Sequence, residues 1–347
     1  MKNSSNKIQA QSREEIETAG KLLIRAEEQL NRILLGRHDL HRMVLVAILS
    51  RGHILLEGLP GLGKTALVKA LSQIMKLDFN RVQFTPDLMP GDILGNHILQ
   101  QNAQGQREMQ FTPGPIFTNI LLADEINRAS PKTQSAMLET MQEYCVTLMG
   151  TTRKIPKPFF VLATQNPIEL EGTYPLPEAQ LDRFLFKLVV KNLNAEVMSE
   201  IITTRQHGEP PTPTATISAD ELELLFKTVD AILLPKPVAR YIARLVNASH
   251  PGTAEAPDAI NDYVSYGASP RAAIAIATAS RAQALFNMRP TVGFEDVRNV
   301  TSAVLNHRLV LNYKARFDNI STFDLINSLL EQLDEAGLDL PESITMQ

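Results

Sequence analysis

The chain has 347 residues, 44% hydrophobic and 21% charged, with 38 acidic against 34 basic side chains and a formal net charge of −4. That length exceeds one typical hydrophobic core and predicts two domains, while the slight acidity gives no overall attraction to a polyanion. The single cysteine, Cys145, excludes an intrachain disulfide and reads as a small buried hydrophobe. The longest clear apolar run, residues 43–49, is too short to cross a bilayer, and the polar start has no apolar signal region, so a cytoplasmic protein is expected.

In chain order, residues 1–12 are polar and predict a disordered tail. Leu22, Leu23, Ala26, Leu30, Ile33 and Leu34 recur at helical spacing and predict a helix over 13–35; a second is expected over 39–50. A strand at 53–57 feeds the glycine loop GLPGLGKT at 58–65, and a helix runs from Lys64 to about Met75. Residues 81–84 predict a second strand. Residues 85–118 predict an insert: a short proline-bounded helix in TPDLMPGDILG, then two extended arms around a turn at Asn102–Gly105, closed by Pro113, Gly114 and Pro115. Apolar strands follow at 119–125, 158–167 and 183–190, with a helix begun by Ser130 as cap and Pro131 at its first position. Continuous apolar strands alternating with helices predict a parallel sheet covered on both faces. After about residue 191 the strand pattern stops. A proline-rich loop at 208–221 ends in a capping box of Ser218 and Glu221, and helices are expected at 219–233, 236–248, 270–288, 294–309 and 321–335. The expected division is a tail at 1–12, a nucleotide-binding core at 13–191 with an insert at about 85–118, and an all-α domain at 192–347.

The chemistry concentrates at predicted strand ends. Successive backbone N–H groups of Leu59, Pro60 (which supplies none), Gly61, Leu62, Gly63, Lys64, Thr65 and Ala66 form an anion-binding nest, reinforced by the positive end of the following helix. Lys64 reaches the β- and γ-phosphates of a nucleotide, and the Thr65 hydroxyl suits Mg²⁺. Asp124 and Glu125 end an apolar strand at the edge where such sheets bind ligands. Asp124 suits the Mg²⁺ shell and Glu125 suits polarising a water; the alternative is a simple acidic loop start. Asn166 ends the next strand, where it holds a water or the γ-phosphate or else bonds its own turn before Pro167. Arg183 begins a strand beside acids, with Asp182 as its candidate ion-pair partner. Arg271 lies in the first turn of a helix, where the dipole opposes a cation, which points it toward a phosphate unless it is merely exposed. The seven histidines lack metal-ligand spacing, so no structural zinc is expected.

Together GLPGLGKT, LLADEINRASPKTQSAMLETMQE, ATQNP, EGTYPLPEAQLDRF and SPRA resemble the MoxR family of AAA+ ATPases. The segments TPDLMPGDILG and FTPGPIF are similar to the insertion in helix 2 that marks its clade, and the resemblance spans about residues 14–335. It implies a P-loop NTPase αβα sandwich with a parallel sheet, a helical lid and a ring, usually a hexamer, using ATP and Mg²⁺. By motif position Lys64 and Thr65 match Walker A, Asp124 and Glu125 match Walker B, and Asn166 matches sensor 1. Arg183 matches the arginine finger that reaches a neighbour's ATP, Arg271 matches sensor 2, and Leu35 with Gly36 lie where the family contacts the base. Gly91 departs from the family by standing where a serine is expected. The resemblance implies an ATP-hydrolysing, chaperone-like motor that remodels a partner protein, often one with a von Willebrand factor A domain. The alternatives are a nucleic-acid-dependent ATPase related to MCM-like helicases, disfavoured by the acidity, and an ATP-gated scaffold, disfavoured by Glu125, Asn166 and Arg183. A nucleic-acid partner and an integral membrane segment are not expected.

Overall fold

Five parallel strands bring the glycine loop and the acidic strand end to one edge of a sheet. The computed structural model describes residues 13–101, 107–167, 172–205 and 210–335; the tail expected at 1–12 and the turn expected at Asn102–Gly105 lie outside them. Helices α1 (Arg13–Ile33) and α2 (His38–Leu49) precede β1 (Ile54–Glu57), α3 (Lys64–Met75), β2 (Phe79–Gln83) and α4 (Pro90–Leu94). The insert continues as an antiparallel hairpin of β3 (Gly95–Gln101) and β4 (Arg107–Pro113), the two extended arms the sequence predicts. Then come β5 (Ile120–Asp124), α5 (Pro131–Glu143), β6 (Cys145–Leu148), β7 (Thr151–Lys154), β8 (Phe160–Gln165), α6 (Glu178–Leu181) and β9 (Phe186–Val189).

The sheet order is β2-β5-β8-β1-β9, every neighbouring pair parallel. Its central strands are mainly apolar because helices cover both faces: Ile54, Leu55, Leu56, Leu121, Leu122, Val161 and Leu162 are fully buried. On one face Leu55, Leu121, Ala123, Val161 and Phe184 pack with Met137, Leu138 and Met141 of α5. Burying each of the Leu, Val, Phe and Met side chains contributes roughly 1.5–3 kcal/mol, which makes this layer the rigid support of the strand ends.

The structure departs from the sequence reading at several points. The last strand starts at Phe186, so Arg183 lies in the turn between α6 and β9, where its N–H bonds Gln180 O at 3.2 Å. The hairpin β6–β7 is absent from the sequence reading: its strands are four residues each, and its turn places Met149 at φ 48° and Gly150 at φ 74° without the Asn-Gly pair that signals such turns. The expected boundary near residue 191 also moves. The chain divides into one compact unit at 17–228 and another containing 229–335 with the first turn of α1. Helix α7 (Ala195–Thr204) and most of α8 (Ala219–Ala231) belong to the first unit. Arg205 Nη2 donates to Ile33 O at 2.7 Å, Ile217 N to Ile74 O at 2.6 Å, and Arg25 pairs with Glu221 at 3.2 Å. The capping box forms, with Ser218 N donating to Glu221 Oε2 at 2.7 Å.

The second unit carries α9 (Lys236–Ala248), α10 (Asp258–Tyr263), α11 (Pro270–Phe286), α12 (Phe294–Leu305), α13 (Tyr313–Phe317) and α14 (Thr322–Gln332). It is helical, as expected, with one short antiparallel pair, β10 (Val264–Tyr266) with β11 (Val310–Leu311). Alanines 272, 279, 282 and 284 of α11 are buried, which lets α12 approach closely, and Tyr241 meets the Phe294 ring edge-on at 5.4 Å.

Candidate functional site

The glycine loop leaves β1 beside β8, and Gly58 N donates to Gln165 O at 3.1 Å. A side chain at Gly58 would bring its Cβ 2.8 Å from the Val190 carbonyl oxygen, so only glycine lets the loop pass this strand end. Gly61 and Gly63 each adopt φ 77°, and Gly63 caps α3. The turn presents its amides at the N-terminus of a twelve-residue helix, the arrangement that holds phosphate. Lys64 Nζ donates to Gly58 O at 2.7 Å. Burial lowers the Lys64 pKa, while the nearby charges of Asp124 and Glu125 pull it back up. The strand order β5-β8-β1 sets the acidic end of β5 one strand away from the glycine loop, on the same edge of the sheet.

Both acids are held from behind by Thr164, a fully buried residue of β8. Its hydroxyl donates to Asp124 Oδ1 at 2.6 Å and accepts the Glu125 N–H at 2.8 Å. Glu125 stands at φ 57°, a left-handed conformation that costs a non-glycine residue roughly 1 kcal/mol, so this amide bond fixes an otherwise unfavourable backbone. Glu125 Oε2 accepts Gln83 Nε2 at 2.8 Å and Arg128 Nη1 at 3.0 Å. Asp124 Oδ2 accepts Arg81 Nη2 at 2.7 Å. Below the acids, buried Gln134 donates to Ile126 O, Ala129 O and Tyr174 O at 3.0–3.2 Å and closes the turn that follows Glu125. Asn166 follows β8 directly and is 5% exposed, one residue past the strand position paired with Glu57.

Gly36 adopts φ 75°, and a Cβ there would meet Val197 at 2.8 Å. With Arg37, Met43, Leu188, Val189 and Asn192 it lines a cavity of about 440 Å³. Arg37 Nη1 donates to Leu62 O, which ties this cavity to the glycine loop.

The chain's similarities agree with this geometry. A model of the ATPase family associated with various cellular activities (AAA) matches residues 53–186, and an AAA lid domain model matches 257–329. The chaperone MoxR1 of Mycobacterium tuberculosis is 44% identical over 309 residues, covering 89% of this chain and 81% of the relative. The chain belongs to the MoxR family of AAA+ ATPases. The protein MoxR of Methylorubrum extorquens is 28% identical, covering 88% of this chain and 93% of its own length. A crystal structure of a candidate ATPase from Cytophaga hutchinsonii superposes with a TM-score of 0.83 at 38% identity, covering 92% of this chain and 97% of that one.

In this MoxR-family ATPase, the sheet brings Lys64, Asp124, Glu125 and Asn166 to one edge. Arg183 sits half-buried in its turn, and Arg271 is exposed in the first turn of α11, within the second unit. The sequence reading missed Arg81, Gln83, Arg128, Gln134 and Thr164. Its available signal was a pair of polar residues at alternate positions of β2 and a threonine interrupting the apolar run of β8. Among the described residues no helix is long and apolar enough to cross a membrane, and no cluster of His, Cys, Asp and Glu suits a metal ion. Mg²⁺ in such a site takes only one or two protein oxygens and otherwise phosphates and water, which the donor set of the Thr65 hydroxyl and the Asp124 carboxylate fits.

Proposed function

We propose that this chain is a Mg²⁺-dependent, chaperone-like ATPase that hydrolyses ATP to ADP and phosphate and uses the cycle to remodel a partner protein. The observation that carries the reading is the pair Asp124 and Glu125, fixed by Thr164 on the sheet edge that also carries the glycine loop. The loop amides and Lys64 bind the phosphates. Leu35 and Gly36 contact the base. Thr65 and Asp124 hold Mg²⁺, which when bound neutralises charge on the β- and γ-phosphates.

Glu125 accepts hydrogen bonds on Oε2, which hold the side chain in place to orient a water against the γ-phosphate. Asn166 adds a neutral donor that fixes the water or the γ-phosphate without adding charge. Arg183, supplied by a neighbouring copy, stabilises the equatorial oxygens, and Arg271 reports the γ-phosphate to the lid. An active site completed across copies calls for a homo-hexameric ring, and a protein with a von Willebrand factor A domain is the proposed partner or client. The chaperone name of the Mycobacterium tuberculosis relative supports the remodelling role, and a cytoplasmic setting suits an ATP-driven one.

The reading is tested by Lys64→Ala. Removing the ammonium should abolish binding of a fluorescent ATP analogue while the melting temperature without nucleotide stays near wild type; normal affinity would refute the phosphate assignment.

A further inference from the structure

Arg81 and Gln83 stand two residues apart on β2, so their side chains leave the same face of the strand. Strand β2 pairs with β5 in the register Arg81 to Leu122 and Gln83 to Asp124, which carries both side chains to the acidic end of β5. Arg81 reaches a single carboxylate oxygen of Asp124, Oδ2, from Nη2 at 2.7 Å and from Nε at 3.2 Å. The other oxygen, Oδ1, takes the Thr164 hydroxyl at 2.6 Å. Both oxygens are therefore committed, but to partners of different kinds. Thr164 is buried strand structure, whereas the Arg81 side chain is 48% exposed against 13% for Asp124. The acid is fixed and the cation reaches it from solvent on a long, flexible stem.

A surface ion pair of this exposure stabilises a fold by at most roughly 1 kcal/mol, so stability alone gives little reason for it. Its place gives a better one: Oδ1 already accepts the buried Thr164 hydroxyl, so Arg81 occupies the oxygen of Asp124 that Thr164 leaves open. Two cations cannot share that oxygen at contact distance without strong repulsion. Arg81 Nη2 also donates to Gln83 Oε1 at 3.0 Å, and Gln83 Nε2 donates to Glu125 Oε2 at 2.8 Å. A guanidinium released from Asp124 thus keeps a partner on its own strand.

Resting on the reading of Asp124 as the Mg²⁺-side carboxylate, we propose that Arg81 is a displaceable counter-ion of the metal site. It neutralises Asp124 until a divalent cation takes its place, and Gln83 then retains the freed guanidinium. Arg81 so sets how much cation the site needs, and its departure is felt next to Glu125 through Gln83. It is a positioning residue and takes no part in the bond-breaking step.

The test is direct binding of Mn²⁺ alone to the full chain, followed by the electron paramagnetic resonance signal of free Mn²⁺, with circular dichroism to verify folding. Arg81→Gln keeps the length and removes the charge, and it should bind Mn²⁺ about tenfold more tightly than wild type. Arg81→Lys should stay near wild type. The Mg²⁺ concentration that half-saturates ATP turnover should fall in Arg81→Gln in the same direction. Equal or weaker Mn²⁺ binding by folded Arg81→Gln overturns the proposal, as does the absence of saturable binding in both forms. Asp124→Asn separates the two levels. If it binds Mn²⁺ like wild type, the metal role of Asp124 is wrong. If it loses Mn²⁺ while Arg81→Gln changes nothing, only the counter-ion role fails.

Discussion

Replacing Thr164 by valine removes one hydroxyl and keeps the β-branched shape that suits the centre of a parallel sheet. That hydroxyl has two partners in the site, Asp124 Oδ1 at 2.6 Å and the Glu125 N–H at 2.8 Å. A hydrogen bond to a charged acceptor contributes about 1.5–3 kcal/mol, and an unpaired buried N–H costs about 1–3 kcal/mol more. The Glu125 backbone at φ 57° loses its anchor in the same step. Thr164→Val should therefore destabilise the chain by about 3 kcal/mol, read as a lower urea midpoint with an unchanged denaturant slope. Because the two acids lose their common support, ATP turnover should fall by about ten- to a hundredfold, with nucleotide affinity changing much less. Thr164→Ser keeps the hydroxyl and loses a methyl, so it should cost about 1 kcal/mol and retain most turnover. Should Thr164→Val unfold within about 0.5 kcal/mol of wild type and hydrolyse ATP within about twofold of it, the hydroxyl does not organise the site and the reasoning fails.

His53 and His41 are buried and each has its pKa lowered to about 4 from 6.5, mainly by burial. Between those values the unfolded chain takes up protons that the folded chain refuses, so stability is full above about pH 6.5 and declines toward pH 4, by about 3 kcal/mol per histidine. The urea midpoint should fall steadily from pH 6.5 to 5, and a flat profile would contradict the buried neutral imidazoles, of which His53 bridges Val161 N and Met141 O. Arg183→Ala should bind ATP but hydrolyse it about 10³- to 10⁵-fold more slowly. Mixed with Glu125→Gln it should recover partial activity at interfaces where an intact Glu125 faces an intact Arg183; mixed rings that stay inactive would make Arg183 a structural residue.

What could be read from the chain followed from local constraints. The glycine loop is legible because Gly61 and Gly63 need positive φ and Gly58 needs a missing Cβ, all within eight residues. The acidic end of β5 is legible because four buried apolar residues precede it. The supporting contacts of Arg81 and Thr164 join residues about 40 positions apart, across strands whose pairing order no periodicity specifies. The start of β9 lies three residues later than the pattern implies because Phe184 and Leu185 are buried, like strand residues, although they lie in a turn. The compact units divide later than the expected boundary near 191 for a tertiary reason: a proline-rich loop ordinarily separates domains, yet here Ile217 and Glu221 beyond it bond Ile74 and Arg25 of the core. The insert hairpin was legible from its glycine and proline punctuation, whereas β6–β7, turning on Met149 and Gly150, offered no such mark.

The account rests on Glu125 as the group that orients water for attack on ATP. The direct measurement is ATP binding and phosphate release by Glu125→Gln in the same preparation. The amide keeps the shape of the side chain but cannot polarise water as a carboxylate does. Binding should remain within a few-fold of wild type while phosphate release falls by at least about a hundredfold. Phosphate release within about twofold of wild type, with binding intact, would contradict the central claim.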